Sequence, residues 1–233
     1  MTEVTPRISV PRNVISFDIE TEMVANWGNR EATPILYVGW KRYTFNRESM
    51  WYDESPYRWV PGEKLRQSLF DQMASFDGLI IGHNLFDFDY RVLWSKGDLS
   101  GVIDRTCDTL ALLRMQHRGK GLKLDDLGRV NFGERKTCKA EEAIAYYKDP
   151  QRRHLALEYN EQDCALVFKV WEKLVRSHRI DIDAGGYTKT INITVPMLEM
   201  LTKHRSQMTA GEFLAKYPKL VTADLGANSD IAV

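Results

Sequence analysis

The sequence predicts an α/β protein: a five-stranded mixed sheet flanked by helices, with a helical and hairpin extension at the C-terminus. Three observations predict it. A β-rich segment near the start, "VISFDIETEM" (14–23), is followed by further β-rich stretches with connections too short for crossovers, which is the pattern of an antiparallel meander. Helical and strand periodicities then alternate, as in a sheet with helices on its faces. The character changes beyond Ser177, where a Gly-Gly turn and short amphipathic stretches replace the long helical pattern.

The elements follow in order. Val14, Ile15, Phe17 and Ile19 mark the first strand by their β-branched and aromatic content. "ILYVGWKRYTF" (35–45) and the stretch around Met50 to Tyr52 supply the second and third strands. Leu65, Leu69, Met73 and Phe76 recur at helical spacing within 62–76. "GLIIGHN" (78–84) is a short, wholly apolar run, as expected of a central strand covered on both faces. A helix is expected through 88–96 and a fifth strand over "GVIDRT" (101–106). Asp108 is a good N-cap for a helix over 108–116, and "LDDLGRV" and "KAEEAIAYYK" read as further short helices. The longest helix is expected over 149–177, opened by Asp149 and Pro150. A hairpin turning at Gly185–Gly186, two short helices and a small-residue tail complete the chain.

The composition is that of an ordinary globular protein, with 43% hydrophobic and 27% charged residues in 233, enough for one substantial core. No apolar run approaches the roughly 20 residues that span a bilayer, and the N-terminus lacks the apolar centre of a signal peptide. The three cysteines, Cys107, Cys138 and Cys164, show no paired or zinc spacing, so reduced thiols and a cytoplasmic setting are expected. Zero net charge argues against a bulk polycation, yet suits a nucleic-acid enzyme whose acidic site offsets basic flanks.

Chemistry concentrates in three places. In the first strand, residues two apart share a face, so Asp18 and Glu20 stand side by side near its end. Their repulsion needs an offset, which a divalent cation provides, as does a strand end where both acids reach solvent. In "GHNLFDFDYRVL" (82–93) a buried strand delivers Asn84, Asp87 and Asp89 into a turn that opens a helix, where Asp89 also suits a helix dipole. On the longest helix Tyr159 and Asp163, four residues apart, share one face. An all-carboxylate set suits Mg²⁺ or Mn²⁺ rather than zinc.

This ordered set, Asp-x-Glu, then Asp, then Tyr-x-x-x-Asp, resembles the DEDD superfamily of 3′–5′ exonucleases, in its tyrosine-containing subgroup. "NLFDFD" is similar to the second motif of the proofreading domains of family B DNA polymerases, with Asn84, Phe88 and Asp89 at the motif positions. "DTLALLR" and "LKLDDLGRVNFGERK" resemble the segments that link the later motifs. The resemblance covers roughly residues 13 to 176. It implies an RNase H-like domain over 1–177 with strand order 3-2-1-4-5, free-standing because no polymerase domain accompanies it, and an extension over 178–233 that packs on or clamps it.

The implied function is metal-dependent release of 5′-mononucleotides from single-stranded or frayed 3′ ends of DNA. Two Mg²⁺ or Mn²⁺ ions are implied, with Asp18 bridging both, Glu20 and Asp163 completing the first and Asp89 serving the second. The catalytic set is then Asp18, Glu20, Asp89, Tyr159 and Asp163, with Tyr159 orienting water rather than acting as a base. Thr21, Glu22 and Met23 would receive the terminal sugar, with Asn84 and Phe88 also binding substrate and Met23 or Trp27 as a wedge between bases. Basic runs at 114–123, 135–139 and Arg152–Arg153 are candidates for the phosphate backbone. A 3′–5′ exoribonuclease, or a catalytically silent module that binds nucleic acid or a partner, remains the alternative. The extension is a candidate docking element for a protein partner.

Overall fold

A computed structural model describes residues 10–25, 27–202, 207–218 and 220; the predicted small-residue tail lies outside them. Strand β1 (Asn13–Thr21) is buried throughout except at Asp18 and Glu20, which are partly exposed. It pairs antiparallel with the long strand β2 (Ile35–Asn46), with Asp18 opposite Gly39.

The outer edge of β2 is covered by two short strands, β3 (Trp51–Glu54) and β4 (Arg58–Pro61), which pair with its two halves. Among the described residues the sheet therefore has six strands, not the five expected from sequence. Pro56, which has no N–H to give the ladder, falls in the break between them.

Helix α1 (Gln67–Ala74) leads into β5 (Leu79–Gly82), parallel to β1. The segment after β5 is not the single helix expected over 88–96. A π-turn occupies Leu85–Asp89, α2 (Tyr90–Leu93) follows, and a 3₁₀ turn closes at Lys96. The expected fifth strand is also displaced: Ser100–Ile103 forms α3, and β6 is Thr106–Asp108. Asp98 accepts the Ser100 N–H at 2.8 Å at the start of α3, and Val102 and Ile103 are fully buried. A four-residue apolar run reads equally as helix or strand, and these local contacts decide it.

The main path through the sheet is β3-β2-β1-β5-β6, a mixed sheet compatible with an RNase H-like fold. Helices α4 (Thr109–Arg114), α5 (Leu124–Phe132), α6 (Ala140–Lys148) and α7 (Arg153–Ser177) follow. Helix α7 starts later than expected, because Asp149 turns back to accept the Gln151 N–H at 2.9 Å.

Beyond α7 lie the hairpin β7 (Arg179–Asp183) and β8 (Thr188–Asn192), then α8 (Val195–Thr202) and α9 (Ala210–Lys216). Gly185 and Gly186 turn the hairpin at φ values of 100° and 99°, a backbone that side chains disfavour, and Asp183 Oδ1 accepts both of their N–H groups.

The two faces of the sheet bury separate cores. Val14 on β1 joins Leu112, Leu127, Val167, Trp171, Ile180 and Met197. Ile15, Phe17 and Ile19 join Phe70, Leu85, Val102 and Phe213. The extension thus contributes to both cores, its hairpin and α8 to the first and α9 to the second. Asp18 and Glu20 share the Val14 face and so point toward the layer that holds α7. Among the described residues, no helix is long and apolar enough to cross a membrane.

Candidate active site

Strand β1 runs past its partner. Its pairing with β5 ends at Ser16 opposite Ile81, so the backbone from Phe17 onward has an open edge on that side. The second motif fills it: Asp89, almost fully buried, accepts the Ile19 N–H at 3.3 Å. On the adjacent face, α7 is fixed by the Ser16 hydroxyl, which donates to the Cys164 carbonyl at 2.6 Å. This places Tyr159, Asn160 and Asp163 opposite the two acids of β1.

Asp18, Glu20 and Asp163 each present an oxygen within 4.8 Å of the others. Asp89 stands outside that trio, although its charge still acts on Asp18. Three of the four expected metal ligands therefore converge, and the fourth is held beside them by a backbone bond. Lys136, on the segment after α5, donates to Asp163 through a short contact and to the Tyr159 hydroxyl at 3.0 Å. Its own backbone N–H is anchored on Asp125 Oδ1 at 2.9 Å.

One ammonium against four carboxylates leaves the cluster under-compensated. Burial first, then repulsion by Glu20, Asp89 and Asp163, hold the Asp18 carboxyl well above the usual range. Burial and the neighbouring Asp163 push Glu20 up to about 7. Burial raises Asp89 and Asp163 too. For Lys136, burial acts downward, but Asp163 and Tyr159 outweigh it and the ammonium is stabilised. Burial raises the Tyr159 phenol further above neutrality.

The donor set fits a hard divalent cation. All three converging ligands are carboxylates, and Asp163 Oδ1 is buried with no hydrogen-bond partner among the described residues. A cation there would satisfy that oxygen and supply the missing positive charge.

A pH dependence follows. Carboxyls raised on folding bind protons more tightly in the native state and so lose stability as pH rises, which for Glu20 happens from about 4.5 to about 7. His83 opposes one of them: burial lowers it to about 4 from 6.5, which favours the folded state as pH rises through that interval. We expect the metal-free protein to melt lower at pH 8 than at pH 5, by on the order of 5 °C. Glu20→Gln should flatten the drop, and Mn²⁺ should restore the midpoint at pH 8. Thermal melts with and without chelator check this, and an unchanged midpoint across the interval would contradict it.

The second motif is built on a residue that sequence reading treats only as a helix cap. Asp108 accepts N–H groups from Leu110 and Ala111, and also from Asn84 at 2.9 Å and Phe86 at 3.1 Å. Asn84 adopts φ 79°, a left-handed backbone uncommon outside glycine. Asp87 turns away from the trio, paired with Arg114 at 3.0 Å and Lys216 at 2.8 Å and bonded by the Tyr217 hydroxyl. The extension thus grips the motif from outside.

A pocket of about 780 Å³ opens over Asp18, Tyr159 and Asp163. Asn84, Arg114, Lys123, Arg135, Lys136 and Lys139 line it, which brings the two ends of the first predicted basic run and the cations of the second around the acids. The third run is placed differently. Arg152 and Arg153 lie over the Tyr146 and Tyr147 rings and are not part of the lining. Of the other expected substrate residues, Thr21 is buried, Glu22 pairs with Lys148 at 2.8 Å, and Met23 is 57% exposed. Phe88 packs against Trp27, which is 64% exposed and has the Arg30 guanidinium over its ring.

Part of a family B DNA polymerase shares this fold. The solved structure is that of the enzyme from the hyperthermophilic archaeon Pyrobaculum calidifontis. The TM-score is 0.54 at 18% identity, over 70% of this chain and 24% of the polymerase chain. The match therefore spans about a quarter of that protein's length. No model of a known family and no curated protein matches the sequence.

Sequence reading missed Asp108 as an anchor, Asn160 as a neighbour of Asp18, and Lys136 as a partner within the acid cluster rather than one cation in a run. The first two are buried polar residues, and nothing in their spacing separates them from ordinary caps and helix positions.

Proposed function

We propose that this chain is a metal-dependent 3′–5′ exonuclease that releases 5′-mononucleotides from single-stranded or frayed DNA 3′ ends. The observation that carries the proposal is the convergent trio Asp18, Glu20 and Asp163, with a buried oxygen that no described residue partners, two of whose members, Asp18 and Asp163, line a cation-rimmed pocket. The fold shared with part of a DNA polymerase supports a nucleic-acid substrate.

Asp18, Glu20 and Asp163 would hold the first divalent ion, and Asp18 with Asp89 the second. The chemistry a bound Mg²⁺ or Mn²⁺ would supply there is charge neutralisation for the phosphate and a lowered pKa for water. The chain's own groups do the rest. Tyr159, kept protonated by burial, orients the attacking water through its hydroxyl, and Lys136 fixes that hydroxyl. The water oxygen bonds to phosphorus as the bond to the 3′ oxygen breaks. The 3′ oxygen released on the shortened strand takes up a proton to become a hydroxyl, the attacking water gives one up to solvent, and the freed nucleotide carries the phosphate on its 5′ oxygen. Arg114, Lys123, Arg135 and Lys139 attract the strand behind the terminus. Asn84 and the Thr21–Met23 backbone receive the last sugar, and Phe88 with Trp27 offers a stacking surface for a base.

The test is digestion of 5′-labelled DNA and matched RNA with Mg²⁺ or Mn²⁺. A ladder shrinking from the 3′ side is expected, faster on single strands than on blunt duplex. Opening a paired end costs on the order of 1–2 kcal/mol per base step, so a mismatched 3′ end should be trimmed faster than a paired one. Release of the labelled 5′ nucleotide first, or cutting of a circular strand, would overturn the exonuclease assignment. Digestion of RNA alone would move the substrate class to RNA, and binding without cleavage would leave a silent module.

A further inference from the structure

We propose that Asn160, locked by Tyr57, is a positioning residue that sets the orientation of Asp18. The inference rests on the metal site proposed above. Asn160 follows Tyr159 on α7 and is completely buried. Its amide Nδ2 donates to Asp18 Oδ2 at 2.8 Å and reaches Glu20 Oε1 at 3.5 Å. Its carbonyl Oδ1 accepts from the Tyr57 hydroxyl at 2.8 Å. The chemistry leaves only this orientation: carboxylates need a donor, so the amide nitrogen faces them and its oxygen must find one elsewhere.

Tyr57 can provide that donor because of two features of β2 and its neighbours. It lies in the break between β3 and β4, directly after Pro56. Gly39, opposite Asp18 on β2, leaves room for the pair. A Cβ at Gly39 would lie 1.9 Å from Asn160 Oδ1 and 2.2 Å from the Tyr57 oxygen. A glycine inside a long strand here marks a close approach.

The result is a chain of aligned dipoles, Tyr57 O–H to Asn160 C=O and Asn160 N–H to Asp18, centred on a fully buried amide, where hydrogen bonds strengthen one another. Two carboxylates that repel would otherwise turn apart when no cation is bound. Asn160 holds one oxygen of Asp18 in place, so the ligand is set before a metal arrives. Residues that orient metal ligands in this way typically contribute 10–100-fold in affinity or activity.

Mn²⁺ titration followed by electron paramagnetic resonance tests this directly, without reliance on turnover. Asn160→Ala should weaken Mn²⁺ affinity by about 10–100-fold. Tyr57→Phe, which keeps the ring and is the safer variant for folding, should weaken it by a smaller factor. The double variant should lose less than the product of the two, because both act through one chain. Mg²⁺-supported cleavage should fall more than Mn²⁺-supported cleavage in Tyr57→Phe, since Mg²⁺ demands stricter ligand geometry. Unchanged Mn²⁺ affinity in both single variants, or fully multiplicative losses, would overturn the positioning role while leaving the metal site standing. Parent protein that binds Mn²⁺ no better than Asp18→Ala would overturn the metal site and this inference together.

Discussion

Asp18→Ala is expected to reduce cleavage by on the order of 10³-fold or more, below detection in an ordinary assay, while the protein stays folded. The size of the effect follows from position. Asp18 belongs to the convergent trio, lines the pocket, and feels the charges of Glu20, Asp89 and Asp163 at once. Removing it takes away the one carboxylate proposed to serve both ions, so no remaining ligand replaces it. Folding should survive because two costs offset. Asn160 Nδ2 loses its 2.8 Å acceptor, but a partly buried carboxyl under repulsion from its neighbours is relieved. Single-turnover digestion of labelled single strands reads the loss, and chelator-treated melts read the fold. Cleavage within tenfold of the parent would remove Asp18 from the site. Collapse of the fold would instead show that its hydrogen bond outweighs the repulsion.

Much of this architecture is legible in the sequence for identifiable reasons. The β1 signal is strong because every residue is buried except the two acids, so alternation and composition agree. The face shared by Tyr159 and Asp163 follows from helix periodicity alone. Legibility fails where tertiary contacts choose between local options. Val102 and Ile103 read as strand but are helical, packed beneath the sheet. The π-turn at Leu85–Asp89 has no periodic signature; it reflects backbone groups gathered by Asp108, which lies beyond the next two helices. The split of the edge into β3 and β4 was signalled by Pro56 and could have been read. Lys136 illustrates the last gap. A run of cations looks like solvated surface until burial singles out the one that reaches between Asp163 and Tyr159.

Asp108→Ala should be among the most damaging substitutions for stability, although Asp108 touches none of the trio. Its side chain is 1% exposed and accepts four backbone N–H groups, from Asn84, Phe86, Leu110 and Ala111. Loss of a helix cap alone costs about 0.5–2 kcal/mol, and each buried N–H left without a partner about 1–3 kcal/mol. Some relaxation is unavoidable, so the sum is best taken as on the order of 3–5 kcal/mol, a fall in melting temperature of roughly 10 °C or more. Asp108→Asn keeps one acceptor oxygen and should lose about half as much. Asn84 separates this from an ordinary cap defect. Its left-handed backbone at φ 79° persists because Asp108 holds its N–H at 2.9 Å, and Asn84 lines the pocket. Without that hold the turn relaxes, and Phe88 and Asp89 on the same turn shift with it. Cleavage should then fall even at temperatures where Asp108→Asn is fully folded, while loss of a turn-holding carboxylate elsewhere, such as Asp183→Ala in the β7–β8 hairpin, should cost stability without that loss. Denaturant melts and cleavage rates on the same preparations check both parts. A stability loss below about 1 kcal/mol would show that solvent or neighbouring groups satisfy those four N–H groups, and that the second motif holds its shape without Asp108.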